Sequence, residues 1–503
     1  MSSWSHKRRF YRNSDDQNRW QNGRKTAIPV PATTPPPLGK LIQTVRVKDM
    51  VGESKNFIDS AAIRDCEAIA SFNWLDKKGS ESTILTPGKP PLWTPPVAPT
   101  VLKEDKGTYF RDKNAARFPK HPMEPAIVTA LGVDRDLPAK LDIMACGSTL
   151  GNLLRFVCGQ DKPFRMLVEK VDNTVFFIRR ENSPTELIPD VRGFGHAFPE
   201  AYTTWELDVK GSASHQRILR YTLGGLRIAV RFEADGYIKA PLGKHPVVPL
   251  AKATHLSSED SLDTLVAALS ENQVSPSSVE LSSVELSSIG SSCAVKTKPG
   301  GSFIGQEDVF DLKTRSIKSK FVKDHLGEEL PRLWVSQIPK FILAFHASGF
   351  FEPQEIEVRD IRAEVTNWEK DHVDDLSRLA ALVHRIVAMT SSAPSGKLEL
   401  CHQTIGELDV REQLPDAGNV MSTEVRARWG KSASAIAVGM DSPAVEDRYE
   451  DHSSDEDSVS EHQVASGNDG SVRDEGWDFT RSEELDFTAC SFDDCGYCGR
   501  CSY

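Results

Sequence analysis

A serine-rich stretch at residues 252–302 divides the apolar part of this chain into two pieces. It contains the low-complexity run SSVELSSVELSS and few apolar side chains, so the sequence predicts a mobile insertion there. A single fold must therefore be assembled from residues 41–251 and 303–392 together. Only 39% of the 503 residues are hydrophobic, which places further parts of the chain outside a packed core.

The two ends of the chain carry opposite charge. Residues 1–40 are basic and proline-rich, and the sequence predicts a disordered tail in which aromatic and cationic side chains could contact RNA loosely. Residues 393–430 give no clear pattern, and residues 431–489 are acidic and predicted to be disordered. Residues 441–503 hold 18 acidic and 4 basic side chains, which suits recruitment of a basic protein partner.

Several protein classes are excluded or disfavoured by composition. No run of about 18 apolar residues exists, so no transmembrane helix and no membrane partner are expected. The first residues lack an apolar run, which argues against a secretory signal. Nine cysteines, most of them isolated, fit a reducing compartment, and we expect the nucleus or the cytoplasm.

The terminal segment 490–503 contains a cysteine cluster with the spacing C-x4-C-x2-C-x2-C. Thiolates at such spacing could bind Zn²⁺. An iron–sulfur segment shares part of the spacing, but the fourth cysteine is too close, and a redox-labile tail is a further alternative. The candidate ligands are Cys490, Cys495, Cys498 and Cys501.

The periodicity of the two central pieces predicts an α/β protein with a mixed sheet flanked by helices. Residues 164–181 alternate on both sides of Asp172 and Asn173, which indicates a hairpin. The pattern of residues 341–358 predicts two strands around a turn. A short helix is predicted at residues 123–133 and one long amphipathic helix at residues 365–389.

Acidic residues recur at a spacing of two on predicted strands, where alternate side chains share a face. Each such pair alone is most often a strand end that reaches solvent. Two pairs that follow apolar strands, in the segments 226–237 and 306–316, weaken that interpretation. The pairs are Glu233 with Asp235, Asp311 with Lys313, and an earlier one, Asp208 with Lys210, which we treat as a decoy.

A carboxylate cluster with one lysine can hold Mg²⁺ or Mn²⁺, which prefer oxygen ligands and activate water against a phosphodiester. The lysine can orient that water or stabilise the transition state. In the PD-(D/E)XK nucleases an acidic strand precedes a D/E-x-K strand. That order favours the Glu233 and Asp311 segments and disfavours Asp208.

The order of motifs resembles the DXO-like decapping exoribonucleases, a branch of that nuclease fold. GFGHAFPEAYTTW (193–205), FEADGY (232–237), FDLKTRS (310–316) and RLWVSQIPKFILAFHASG (332–349) match successive family motifs. The chain departs from the family where Asp311 replaces a glutamate. It departs again where Gly147 and Ser148 stand near the place of an RNA-contacting arginine.

The resemblance implies metal-dependent hydrolysis at an RNA 5′ end, of the decapping, pyrophosphohydrolase or 5′ exoribonuclease type. The metal ligands it implies are Glu200, Glu233, Asp235, Asp311 and the carbonyl of Leu312. Lys313 and Gln337 complete the implied catalytic group.

RNA binding needs cations beside such a site. The arginines near the proposed strands could also form an ordinary solvated face. The candidates are Arg179, Arg180, Arg217, Arg231 and Arg315.

The sequence leaves two other functions to consider. A catalytically silent RNA-binding or scaffold protein could keep this fold, although retained carboxylates and Lys313 argue for an enzyme. A prenyl diphosphate synthase needs two D-D-x-x-D motifs on facing helices. The pair Asp374 and Asp375 is followed by Arg378 at the last position, so that chemistry is disfavoured.

Overall fold

A computed structural model describes residues 33–76, 81–189, 191–239 and 295–437. Within these ranges the chain forms two mixed sheets flanked by helices, which confirms the predicted fold class. None of the helices in these ranges is long and apolar enough to span a membrane. Residues 1–32, most of the serine-rich insertion, the acidic tail and the four terminal cysteines lie outside the described residues.

The described strands range in length from two to twelve residues. Their bounds are β1 Leu41–Arg46, β2 Arg64–Leu75, β3 Thr83–Gly88, β4 Leu92–Trp93, β5 Thr100–Val101, β6 Ile143–Cys146, β7 Phe164–Val171, β8 Thr174–Arg180, β9 Thr203–Thr204, β10 Ser212–Leu223, β11 Leu226–Ala234, β12 Gly236–Tyr237, β13 Lys296–Gly301, β14 Val309–Ser316, β15 Lys340–Ala347, β16 Phe350–Asp360, β17 Lys397–Thr404 and β18 Glu407–Glu412.

The α-helices pack on these sheets through buried apolar faces. Their bounds are α1 Val51–Ser54, α2 Lys113–Arg117, α3 Glu124–Val133, α4 Gly147–Val157, α5 Ala197–Tyr202, α6 His325–Ser336, α7 Arg362–Asp371, α8 Val373–Ser392 and α9 Thr423–Ala437.

The larger sheet has eleven strands in the order β1-β18-β17-β7-β8-β6-β11-β10-β2-β3-β13. Its centre is parallel, because β6 runs parallel to both β8 and β11. Helix α4 follows β6 directly and buries Leu150, Leu153 and Leu154 in the core. The N-terminus of α4 therefore lies at the carboxyl end of a central strand.

The smaller sheet has seven strands in the order β5-β16-β15-β14-β12-β4-β9. Strand β12 follows β11 after the single residue Asp235, so the chain passes from one sheet to the other at this carboxylate. Gly236 pairs with Phe310 of β14. A Cβ atom at Gly236 would lie 2.3 Å from the Phe310 ring and 2.8 Å from the Pro91 carbonyl oxygen, so only glycine permits this crossing.

Several sequence predictions need correction. The predicted helix at 365–389 is two helices, α7 and α8, which meet at His372. The decoy segment 203–212 is not one strand: residues 203–204 form the short β9, and residues 207–209 form a 3-10 helix. Residues 296–301, which the sequence places within the insertion at 252–302, form β13 and pair with β3. Residues 397–412, where no pattern was visible, form β17 and β18 of the larger sheet.

The hairpin β7–β8 has the predicted bounds and turn, with Asp172 at a positive φ of 52°. The helix expected at 123–133 is α3, and the two strands expected at 341–358 are β15 and β16. Simple alternation and apolar content were sufficient for these elements.

Candidate functional site

Strand β14 has one polar face and one apolar face, and both are buried. Phe310 and Leu312 pack in an apolar cluster on one side. Asp311, Lys313 and Arg315 alternate with them, so they share the other face, and all three are at most 7% exposed. The sequence pattern D-L-K-T-R-S thus places three charged groups inside the protein, where each requires a partner.

Asp235 meets this face where the chain crosses between the sheets. Its Oδ2 accepts a hydrogen bond of 2.7 Å from the backbone N–H of Leu312. Burial, followed by repulsion from Asp311, raises the pKa of Asp235 to about 7. The two predicted carboxylates therefore lie together, as the strand pairing required.

Arg332 of helix α6 binds Asp311 with both terminal nitrogens. Its Nη1 lies 2.5 Å from Oδ2 of Asp311, and its Nη2 lies 2.6 Å from Oδ1. Burial opposes the charged guanidinium, but the Asp311 and Glu329 carboxylates outweigh burial and raise the pKa of Arg332 well above its ordinary value. Both oxygens of Asp311 are thus engaged by one cation.

Glu329, one turn before Arg332, closes the ion-pair network. It accepts a hydrogen bond of 2.9 Å from Nε of Arg332 and one of 3.2 Å from Arg315. Burial alone would raise its pKa, but the cations Lys313, Arg332 and Arg315 lower the pKa of Glu329 to about 2. The carboxylate is therefore charged at neutral pH.

Glu233 points to a second group of partners. It accepts hydrogen bonds of 2.9 Å from Lys113 and 3.3 Å from the side-chain amide of Gln216. The other end of Gln216 accepts a hydrogen bond of 3.2 Å from Arg231, whose side chain is buried. This chain of contacts runs across β10 and β11.

We define the acidic cluster as these paired charges, four acids and four bases that balance one another. They are Glu233, Asp235, Asp311, Glu329, Lys113, Lys313, Arg315 and Arg332. Carboxylate oxygens are the donors that Mg²⁺ and Mn²⁺ prefer. In the described part of the chain, however, no three His, Cys, Asp or Glu side chains are arranged to hold a metal ion. Because Arg332 takes both oxygens of Asp311, the arrangement does not fit a divalent cation.

A basic cleft of about 340 Å³ opens above this cluster. Lys113, Glu233 and Arg332 belong both to its lining and to the acidic cluster, so they mark the boundary between the two. Nine Lys and Arg side chains line the cleft, against four Asp and Glu. The basic ones are Arg111, Lys113, Arg155, Lys162, Arg165, Arg179, Arg180, Arg231 and Arg332.

The N-terminal turns of α4 form part of the cleft wall, through Gly147, Ser148 and Gly151. The backbone N–H groups and the macrodipole of a helix N-terminus favour anions. Cys146 precedes this helix, and although burial alone would raise the pKa of its thiol, Arg231 and the Ser148 and Thr149 contacts lower it. The Phe110 ring, 37% exposed, also lines the cleft.

Arg155 has a cation for a neighbour. Burial and the nearby charge of Arg179 lower the pKa of Arg155 to about 9. Glu181 pairs with Arg179 and offsets part of this repulsion, and a bound anion would offset more of it. The cleft therefore has the electrostatic character of an anion site.

The predicted RNA-binding arginines divide into two groups. Arg179, Arg180 and Arg231 line the cleft. Arg217 and Arg315 do not, and they are at most 1% exposed. Arg217 donates to Gln306 and to the Ile304 carbonyl, so its charge is used inside the protein.

The remaining predicted residues lie apart from the cleft lining. Glu200 is exposed on α5, and its negative charge helps raise the pKa of Tyr109, behind the larger effect of burial. Gln337 caps α6 in a left-handed conformation and donates to the Trp334 carbonyl. The main chain of Leu312 contacts Asp235 through its N–H. Asp208, the decoy, pairs with Lys89 at 3.4 Å.

Sequence reasoning missed Arg332, Glu329 and Lys113. The first two had a local signal, because Glu and Arg three residues apart on a helix share a face. That spacing does not say which strand the face will meet. Lys113 stands 120 residues before Glu233, and no local pattern connects them.

A family model described as a domain of unknown function (DUF8563) matches residues 40–398, and the chain belongs to that family. No curated protein matches the sequence.

Solved structures similar to this chain include Rai1 and Dxo1 proteins from yeasts. Rai1 of S. pombe is 10% identical, with 74% of this chain and 99% of that chain covered and a TM-score of 0.42. Rai1 of Candida albicans in complex with pU5-Mn²⁺ is 10% identical, with 80% and 99% covered and a TM-score of 0.43. Dxo1 of K. lactis in complex with manganese is 10% identical, with 72% and 92% covered and a TM-score of 0.38.

Proposed function

We propose that this chain binds the 5′ end of an RNA in the basic cleft. The observation that carries the proposal is the excess of nine cationic over four acidic side chains around one cavity. Phosphate contacts dominate the affinity of proteins for nucleic acids, so a concave cationic surface favours this class of ligand. The motif resemblance supplies the kind of nucleic acid, an RNA 5′ end.

Two features of the cleft suit a terminal nucleotide. The N-terminus of α4 can bind a terminal phosphate through backbone N–H groups, and its first residues are small. Phe110 offers a face for stacking of a base. A phosphate at α4 and a base on Phe110 would orient the end of the strand within the cleft.

The test is the affinity of the full chain for short fluorescent RNAs that carry a 5′ phosphate, a 5′ triphosphate or a 5′ hydroxyl. Fluorescence anisotropy should show tighter binding for the phosphorylated ends. The double variant Arg155→Gln/Lys162→Gln removes two cleft cations and should weaken binding by about tenfold or more.

A matched control removes the same charge elsewhere. Lys48 and Lys55 are exposed and do not line the cleft, so Lys48→Gln/Lys55→Gln should change the affinity by less than about twofold. Equal losses in both double variants would contradict a site in the cleft. Equal affinity for all three RNA ends would contradict recognition of the end.

The second candidate function is the metal-dependent hydrolysis that the sequence predicted. One observation favours it: Asp235, Asp311 and Lys313 do meet across β12 and β14. In that function Glu233, Asp235 and Asp311 would be the ligands and Lys313 the catalytic cation, while Glu200, Leu312 and Gln337 stay predictions from sequence. The present pairing of Asp311 with Arg332 does not admit the cation, so we expect binding without hydrolysis.

Release of product from 5′-labelled RNA in the presence of Mn²⁺ tests the second candidate. Activity that Asp311→Asn abolishes, and that the decoy change Asp208→Asn leaves intact, would establish hydrolysis at this site. Absence of product with every end group, together with RNA binding, would support the first candidate.

A further inference from the structure

We propose that the Arg332 guanidinium is the resident cation of the acidic cluster and stands in for the divalent metal that the sequence pattern predicts. The proposal concerns the carboxylates beneath the cleft. It is independent of whether RNA binds above them.

The hydrogen bonds of Arg332 use the whole guanidinium group. All three of its nitrogens bind carboxylates, with Nη1 and Nη2 on Asp311 and Nε on Glu329. Bidentate pairs between arginine and carboxylate are among the strongest charge-assisted hydrogen bonds. No oxygen of Asp311 is left without a hydrogen bond for a metal to ligate.

The charge balance of the cluster leads to the same conclusion. The four acids, Glu233, Asp235, Asp311 and Glu329, face four bases. These bases are Lys113, Lys313, Arg315 and Arg332. Because the acids do not outnumber the bases, a divalent ion added to this set would leave at least two uncompensated positive charges in a buried place, which is unfavourable. Without Arg332 the same ion would meet a set with one positive charge fewer and an unpaired Asp311 carboxylate.

Arg332 also covers the carboxylate from solvent. Its side chain is 24% exposed and lines the cleft, whereas the Asp311 side chain is 3% exposed. A metal ion arriving through the cleft would have to displace the guanidinium. The helix that carries Arg332 is anchored by Leu333 and Trp334 in the core, which opposes such a displacement.

The experiment is calorimetric titration of the full chain with Mn²⁺ in the absence of RNA. The wild type should show no binding that depends on Asp311. Arg332→Gln removes the cation and should create a site at least about tenfold tighter, because unpaired carboxylates then favour a metal ion. Arg332→Gln/Asp311→Asn should lose that site. Any Mn²⁺ that this double variant still binds is bound elsewhere on the chain and serves as the background.

Arg332→Lys distinguishes the effect of the positive charge at this position from the effect of the space that the arginine side chain fills. It keeps one positive charge, so it should gain no Mn²⁺ site even though a lysine cannot reproduce the bidentate contact. Equal Mn²⁺ affinity in the wild type and Arg332→Gln, with both sites lost on Asp311→Asn, would overturn the proposal. A gain in Arg332→Lys equal to that in Arg332→Gln would also overturn it.

Thermal unfolding of the wild type tests the proposal without any variant, so it still applies if a variant does not fold. Ligands that bind only the native state raise the melting temperature, and the rise grows with the logarithm of the ligand concentration relative to Kd. About 1 mM Mn²⁺ should change the wild-type melting temperature by less than about 1 °C. A rise of several degrees that Mg²⁺ also produces would contradict a site already occupied by arginine.

Discussion

The acidic cluster and the basic cleft lie side by side and share Lys113, Glu233 and Arg332, yet the balance of charge in the two regions differs. In the cluster four acids face four bases, and the groups on β14 are nearly inaccessible to solvent. In the cleft the lining cations outnumber the lining acids by nine to four, although six of the nine pair with carboxylates in or behind the lining, and the surface is open. Buried charges that pair with one another need no further ligand, whereas an open surface with more cations than acids favours a ligand of negative charge. From this difference we expect the cleft to bind the ligand and the paired charges of the cluster to stabilise the fold.

The largest expected effect comes from breaking the internal balance. Arg332→Met leaves the Asp311 carboxylate buried without its cation and should lower the free energy of unfolding by about 3 kcal/mol or more. Urea unfolding followed by circular dichroism measures this change. Arg362 is the matched control, because it pairs with Asp360 on the surface with 68% of its side chain exposed.

Arg362→Met should cost less than about 1 kcal/mol, since solvent screens an exposed pair. The double change Arg332→Met/Asp311→Leu should recover part of the loss, because it removes both charges. If Arg332→Met costs no more than Arg362→Met, the cluster is not the tightly paired unit described above.

A smaller effect should appear in the pH dependence of stability. Because the folded-state pKa of Asp235 is about 7 and the unfolded value is near 4, the folded state holds this proton more tightly. Ionisation of Asp235 therefore destabilises the fold as pH rises from about 4 through 7. Asp235→Asn still offers an oxygen to the Leu312 N–H and cannot ionise.

The stability difference between Asp235→Asn and the wild type should be small at pH 4 and reach on the order of 2 kcal/mol in favour of the variant at pH 8. Urea unfolding at several pH values measures it. A difference that is constant across this range would mean that Asp235 does not titrate as inferred.

A still smaller effect separates stacking from charge in the cleft. Phe110→Ala should weaken RNA binding about fivefold through loss of a stacking face, with little change in salt dependence. Phe321 is 92% exposed and does not line the cleft, so Phe321→Ala is the control and should leave the affinity within about twofold. A loss of affinity that is the same for both variants would remove the argument that Phe110 contacts a base.

Local periodicity predicted more of the fold than of the site. The alternation around Asp172 and Asn173 predicted the β7–β8 hairpin, and the spacing of Asp235, Asp311 and Lys313 predicted that these residues meet. These predictions depend only on the period of a strand and on one strand pairing.

The rest depended on contacts between distant segments. The identity of the cation beside Asp311 follows from how α6 packs on β14, and helix packing is not encoded in a short motif. The cleft is likewise assembled from residues as far apart as Arg111 and Arg231. Strands β17 and β18 were missed because their short apolar runs gain stability only from neighbours in the larger sheet.

The salt dependence of binding to a 5′-phosphorylated RNA tests the central claim, that the cleft rather than the cluster binds the ligand. A plot of log K against log salt concentration should have a clearly negative slope for the wild type. The slope should become shallower by about 1.4 in Arg155→Gln/Lys162→Gln, because each lost phosphate contact contributes roughly 0.7 on a single strand. An unchanged slope in that variant, or one near zero in the wild type, would contradict the account.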